Sequence, residues 1–445
     1  MKSLGRRQID GLCLVFLGAT IPLMLMGYLF AADSSAAIQD FISDYYSARC
    51  LMRGCDPYQE TQVLQTYRAE GGVRSLAGAR EREIVTRNVY PPSALAIFVP
   101  LALLPWGPAH ILWMVISTLS LIVASGLVWS LGARDAPILS GLFVGFLLAN
   151  SEVLVVLSNP SELVISLCIV GVWCFVQRRF LPLGVFCFAV SLALKPQITG
   201  LIWLYFLLAG GVYRKQALWA SIASAALILP IVIWVTIQCP SWPHELGSNL
   251  AAFAAHGELN DPGPSSMTAS NLIDLQVIFS RLRDDPAFYN LASYVLYAPF
   301  LLAWGVLSLR GDASRQKTLL ALAAIAPLSL LPLHHHLYDS KLLLLTVPAL
   351  AYLWSQGGLM ARSALAFNLG AFLLTGDLTI TLFRRLITAS IGALGSSAQS
   401  LSSLAQVAPT PLMLLLTASF YLAVLANQIF RVDDAIIEPH REQVK

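Results

Sequence analysis

Charge is what this sequence has least of. Asp, Glu, Lys and Arg make up 12% of its 445 residues, about half the share found in a soluble domain. Together with 57% hydrophobic residues and a mean hydropathy of +0.69, that scarcity excludes a soluble enzyme, a disordered regulator and a secreted disulfide scaffold. A net charge of +3 supplies no basic field for nucleic acid. Cysteine is sparse as well, with no Cys-x-x-Cys pair and no metal-finger spacing among its seven residues. Cys13, Cys168, Cys174 and Cys187 sit inside apolar runs as small hydrophobes. Cys50 and Cys55 share one polar loop and can pair if that loop faces an oxidising compartment. What the chain does have is apolar length, and the fold class it implies is an all-α polytopic membrane protein.

A helix needs about 20 apolar residues to cross about 30 Å of hydrocarbon. Gly11–Ala32 is uncharged and follows Arg6 and Arg7, so it reads as a retained first span with its amino terminus inside. Further spans are expected at Trp106–Leu131, Pro137–Leu157, Ser161–Gln177, Phe180–Leu194, Gln197–Tyr213 and Gln216–Gln238. The rest are Ala287–Leu309, Thr318–Leu333, Ser340–Ser355, Ser363–Phe383 and Thr410–Phe430. With twelve spans, the inner loops collect Arg134, Arg178, Arg179, Arg214, Lys215, Arg310, Arg315, Lys317 and Arg362, as the positive-inside rule asks. The short outer connections keep only Lys195, Lys341, Arg384 and Arg385. The alternation holds only if Ser93–Leu104 does not cross by itself, so that stretch is expected to be re-entrant, interfacial or half of a hairpin.

Within the single membrane domain spanning 1–445, two outer loops are too long to be plain connections. The second, 239–286, is rich in Pro, Gly, Ser and Asn and is expected to form an irregular lid or substrate-contact loop. In the first, 33–92, Ile38, Phe41, Ile42, Tyr45 and Leu51 predict an amphipathic helix closed by Gly54. It is expected to lie flat at the outer interface. Asp40 and Asp44 share a face of that helix. Like charges at that spacing repel, which raises one pKa and suits a general base; the plainer reading is a solvated polar face.

The order of motifs weighs for chemistry. Asp40-Phe41 and Tyr45-Tyr46 are followed by Gly54-Cys55-Asp56-Pro57-Tyr58, Tyr90-Pro91-Pro92 and Leu104-Pro105-Trp106. Later come Leu194-Lys195-Pro196 and His336-Leu337-Tyr338-Asp339. This series resembles glycosyltransferase family 87, enzymes of the GT-C membrane class that use polyprenyl-phosphate sugars. The likeness is dense over residues 36–131, patchy over 150–345 and thin beyond. It departs at Asn159-Pro160-Ser161-Glu162, where relatives often have Gly-Gln-x-Asn.

The resemblance implies a GT-C-type hexosyltransferase, with mannose the expected sugar, a lipid or glycan acceptor and inversion at the anomeric carbon. It needs no cofactor, and membrane lipids are its surroundings. A bacterial plasma membrane is the implied location, with the site on the extracytoplasmic side. Asp40 or Asp44 would be the catalytic base, and Asp40 matches the family's Asp-Phe pair. Lys195, His335, His336, Tyr338, Asp339 and Tyr90 would hold the donor phosphate or substrate. A lysine at a span end also snorkels to the interface without any function. The triplet His334-His335-His336 is not expected to bind metal, because consecutive residues project in different directions and zinc sites use spaced ligands. Arg384 and Arg385 could hold phosphate or anchor a helix end, and the anchor is the preferred reading. A competing reading, a transporter or flippase for a lipid-linked or small anionic solute, would line its path with Lys195 and the histidines.

Overall fold

Proline opens many of the helices. Pro92, Pro137, Pro196, Pro286 and Pro409 each stand at the first helical position, where a missing N–H has no partner to lose. The computed structural model describes residues 5–32, 40–71, 85–86, 88–266, 268–310, 314–392 and 405–442. Ile38 and the first-loop residues 72–84 lie outside these. Regular structure among the described residues is helical, apart from one isolated antiparallel bridge between Leu272 and His336.

Among the described residues, five helices are long and apolar enough to cross a membrane: Trp106–Gly132, Gly211–Gln238, Pro286–Leu309, Gly358–Thr375 and Pro409–Phe430. Their outward faces carry exposed Val115, Leu119, Val123, Ile222, Leu229, Ile233, Ile237, Leu291, Val295 and Leu302. Continuous apolar surface of this kind is suited to lipid and not to water. The chain is an all-α polytopic membrane protein. Shorter apolar helices at Ser161–Gln177, Leu181–Leu194 and Pro196–Leu208 fall where spans were expected. The helices approach closely through small residues. A Cβ on Gly141 or Gly145 would strike Leu12 or Val15 of the first helix, and one on Gly171 would strike Phe188.

Three expected spans are broken. Pro137–Leu157 divides into Pro137–Leu148 and Glu152–Leu157. Ser340–Ser355 begins as a 3-10 segment, Leu337–Thr346, before the helix Val347–Gln356. Ser363–Phe383 splits at Gly376 into Gly358–Thr375 and Asp377–Gly392. The breaks meet at one buried ion pair. Lys341 Nζ donates to the carbonyls of Asn150 (2.5 Å) and Thr375 (3.3 Å) and lies 3.5 Å from Asp377. Asp377 in turn accepts the N–H of Val153 at 2.9 Å. Backbone groups freed inside an apolar environment must find partners within the protein, and this pair supplies them.

The first-loop helix, Asp40–Met52, forms as the sequence predicts but not where it predicts. It is packed into the protein on nearly all sides and not on one apolar face: Phe41, Ile42, Asp44, Tyr45, Tyr46, Ser47, Ala48, Cys50 and Leu51 are all buried. The reason is aromatic packing on both sides of an apparent polar face. Phe41 stacks on Trp113 with centroids 5.2 Å apart, and Tyr45 donates to the Leu104 carbonyl at 2.7 Å. The helix stops at Gly54, whose φ of +77° few other residues adopt without strain, and Cys50 is disulfide-bonded to Cys55 across that turn. The stretch expected to be re-entrant or interfacial is the helix Pro92–Ala102, which packs between Asp40–Met52 and Gly211–Gln238. The second loop is less irregular than expected. It contains the twelve-residue helix Trp242–Phe253, while 272–275 runs beside 331–336 through bonds such as Ile273 N–H to the His335 carbonyl (2.9 Å).

Candidate functional site

Chain breaks bring the polar residues together. Ser158 ends Glu152–Leu157 in the left-handed conformation (φ 51°). It is pinned there by Trp113 Nε1 on its carbonyl (2.9 Å) and His110 Nε2 on its hydroxyl (3.1 Å). The next residue, Asn159, accepts the Ser161 N–H on its own side-chain oxygen at 2.8 Å, which fixes the turn and directs its amide nitrogen to Asp40 Oδ2. Lys195 occupies the junction between Leu181–Leu194 and Pro196–Leu208. Pro196 has no N–H to continue the first helix, so the chain turns at the lysine.

Lys195 Nζ donates to Ser161 Oγ at 2.6 Å and Asn159 Oδ1 at 3.4 Å, with Asp339 Oδ1 at 3.9 Å. The rings of Tyr90 (5.3 Å) and Tyr338 (5.8 Å) flank the ammonium. Asp339 is fully engaged: Ser161 Oγ donates to it at 2.6 Å, His335 Nδ1 lies at 3.1 Å and the His336 N–H at 3.2 Å. His336 stacks on Tyr338 with centroids 5.1 Å apart, and its Nε2 meets Asn260 Oδ1 of the second loop at 3.1 Å.

The carboxylates here differ in environment. Burial alone would raise the pKa of Asp339, but Lys195, His335 and Ser161 outweigh it and hold the group below the usual range. Burial raises Asp40, against the opposing pull of the Asn159 amide and Lys195. Burial, reinforced by Asp40, pushes Asp44 well above its ordinary value. His336 is pushed down to about 4, chiefly by burial, so its ring is neutral near neutral pH.

The second loop covers this cluster. Asn249 Nδ2 donates to the carbonyls of Tyr58 and Asn88, both at 3.1 Å, and Ser241 Oγ donates to Asp56 Oδ2 at 3.1 Å. Asp56 also accepts the Tyr58 N–H at 2.9 Å, and the Tyr58 hydroxyl reaches the Tyr90 carbonyl at 2.9 Å. The Gly-Cys-Asp-Pro-Tyr motif thus braces Tyr90 and docks the lid.

Every residue singled out from sequence reaches this region: Asp40, Asp44, Lys195, His335, His336, Tyr338, Asp339 and Tyr90. They do not play equivalent parts. Asp44 is fully buried, so the solvated-face reading does not hold for it. His335 is buried against Asp339 while His334 is exposed, so the triplet diverges. Asn159, Ser161 and Asn260 were not anticipated. The first two stood in the sequence only as a departure from a motif, and Asn260 lies in a loop without periodicity. Arg384 ties its helix to the Asn271 side chain at 3.1 Å and the Ser270 carbonyl, an anchor as expected, though to the second loop.

The family model for glycosyltransferase family 87 matches residues 88–333, more than half of the chain. The chain belongs to glycosyltransferase family 87. It is therefore a membrane glycosyltransferase, which takes a sugar donor and an acceptor. No curated protein and no solved structure matches it. The family match includes Tyr90, Asn159, Ser161, Lys195 and Asn260. It begins after Asp40 and Asp44 and ends just before His334.

Proposed function

We propose that this family 87 enzyme transfers one hexose, mannose by expectation, from a polyprenyl phosphate to a lipid or glycan acceptor. The reaction takes place at the extracytoplasmic face of a bacterial plasma membrane, with twelve crossings and loops 33–92 and 239–286 outside. The acceptor hydroxyl attacks the anomeric carbon as the bond from that carbon to the phosphate oxygen breaks. Asp40 takes the hydroxyl proton, and the polyprenyl phosphate leaves from the opposite face, inverting the centre. The observation that carries this reading is the pairing of Asp40 with Lys195 through one side chain. Asn159 donates to Asp40 Oδ2 and accepts from Lys195, so a base and a cation stand on either side of a single amide.

Asp40 is half-buried, which leaves it within reach of an incoming hydroxyl. Lys195 has one short hydrogen bond and two long contacts, which leaves protons to meet a phosphate oxygen as charge develops there. Tyr90, Tyr338 and His336 complete the phosphate side, and Asp339 with His335 orients the lysine. Purified protein given radiolabelled polyprenyl-phosphate mannose should release lipid phosphate and label its acceptor. Movement of intact donor across a vesicle membrane, with no lipid phosphate formed, would overturn the reading in favour of a flippase.

A further inference from the structure

Asp44 holds a carboxylate with 0% exposure and no partner on either oxygen. Buried polar groups in native proteins are almost always satisfied, and a bare buried carboxylate is among the most costly exceptions. Ser47, three residues along the same helix, repeats the pattern: 0% exposed, with its hydroxyl unpartnered. Asp40, Asp44 and Ser47 are spaced i, i+4 and i+7, so they form one stripe running inward from the proposed base. Asn88, whose side-chain oxygen caps the Tyr90 N–H at 2.8 Å, leaves its Nδ2 buried and unpaired as well. Two carboxylate oxygens and a hydroxyl therefore stand without partners on the stripe that begins at Asp40, and the Asn88 amide does so beside Tyr90.

We infer that Asp44 and Ser47 recognise the donor's sugar, with the Asp44 carboxylate accepting hydrogen bonds from ring hydroxyls of a neutral hexopyranose. This rests on the donor reading above. When the anomeric carbon faces the acceptor held by Asp40, the ring must extend away from the phosphate at Lys195. The inward stripe is where its hydroxyls would meet acceptors. A neighbouring pair of ring hydroxyls offers two O–H donors to one carboxylate, and Ser47 has both a proton and lone pairs to give a third. The second loop, bonded to Tyr58 and Asn88 through Asn249, would close over the ring and exclude water.

The test compares farnesyl-phosphate mannose, farnesyl-phosphate glucose and bare farnesyl phosphate binding to the purified full chain. In the wild type at least one sugar form should bind more tightly than farnesyl phosphate. Asp44→Ala should remove that advantage, weakening the sugar form roughly ten- to a hundredfold, and leave farnesyl phosphate unchanged. The isosteric Asp44→Asn should lose less, since it keeps one acceptor oxygen. Equal weakening of all three ligands would make Asp44 structural and overturn the inference. So would unchanged binding of all three, with the carboxylate simply hydrated. If neither sugar form gains over farnesyl phosphate in the wild type, the donor reading itself fails and this inference with it.

Discussion

Two buried lysine–aspartate pairs each draw one partner, Asp339 or Lys341, from the same 3-10 segment, Leu337–Thr346, yet their surroundings differ. Lys341 is saturated: two backbone carbonyls and Asp377 surround its ammonium, and Asp377 caps a broken helix with its other oxygen. Lys195 keeps its aspartate at 3.9 Å, spends one short bond on a serine and faces two tyrosine rings. Beside it stand Asp40, half-buried, and Asp44, wholly unpaired. The first pair completes the fold's own hydrogen bonding. The second leaves bonding capacity for something else. Burial alone does not tell these two pairs apart; the saturation of their polar atoms does.

The sharpest way to break that comparison is Asp40→Asn. The change keeps size and the Asn159 neighbour but removes the basic oxygen. Transfer should fall about 10²–10⁴-fold while the purified variant stays monodisperse and still binds lipid donor. Near-normal transfer by Asp40→Asn with Asp44→Asn inactive would move the base one turn inward. Next in size is Lys341→Ala, which strands a buried Asp377 and two carbonyls. Breaking a buried pair from one side costs about 3–5 kcal/mol, so its melting temperature should drop sharply. Specific activity per folded molecule should remain near that of the wild type. A severe loss of kcat in protein that stays folded would place this pair in the chemistry.

Lys195→Ala should act mainly on the reaction: expression is retained, and melting falls less than in Lys341→Ala because His335 and Ser161 still hold Asp339. Loss of one charge-assisted contact, about 1.5–3 kcal/mol, should lower kcat/KM about ten- to a hundredfold. Unchanged donor affinity and rate would reduce the residue to a membrane anchor. The smallest effect is a pH dependence of stability. Because burial and Asp40 raise Asp44, the folded chain binds that proton more tightly than the unfolded chain does. Its contribution is therefore fully present below about pH 4, the unfolded value, and is lost as pH rises through the raised value. Asp339 behaves oppositely, since its lowered pKa gives stability above the ordinary carboxylate range that is lost only in strong acid. Melting curves of the wild type and Asp44→Asn should diverge as pH rises, with the wild type losing more. Parallel curves would show that Asp44 has found a partner.

Hydropathy alone was enough to give the membrane class and many helix positions, because 20-residue apolar runs have one stable home. The spacing of Asp40 and Asp44, the Gly54 stop and the motif order likewise singled out residues that the fold brings into one region. What the sequence did not carry was depth and partnership. Nothing local says that Asp40–Met52 is buried beneath Trp106 and Trp113 and not afloat at the interface, since apolar residues suit either environment. Nor does it say that a run such as Pro137–Leu157 breaks at Asn150. That break is tolerable only because Lys341, nearly two hundred residues later, arrives to satisfy the exposed carbonyl. Asn159 came to hold Asp40 by the same kind of long-range meeting. Helices follow from local periodicity and solvent; which buried polar atoms find partners is decided only when distant segments pack, and in this chain that decides which aspartate is left unpartnered.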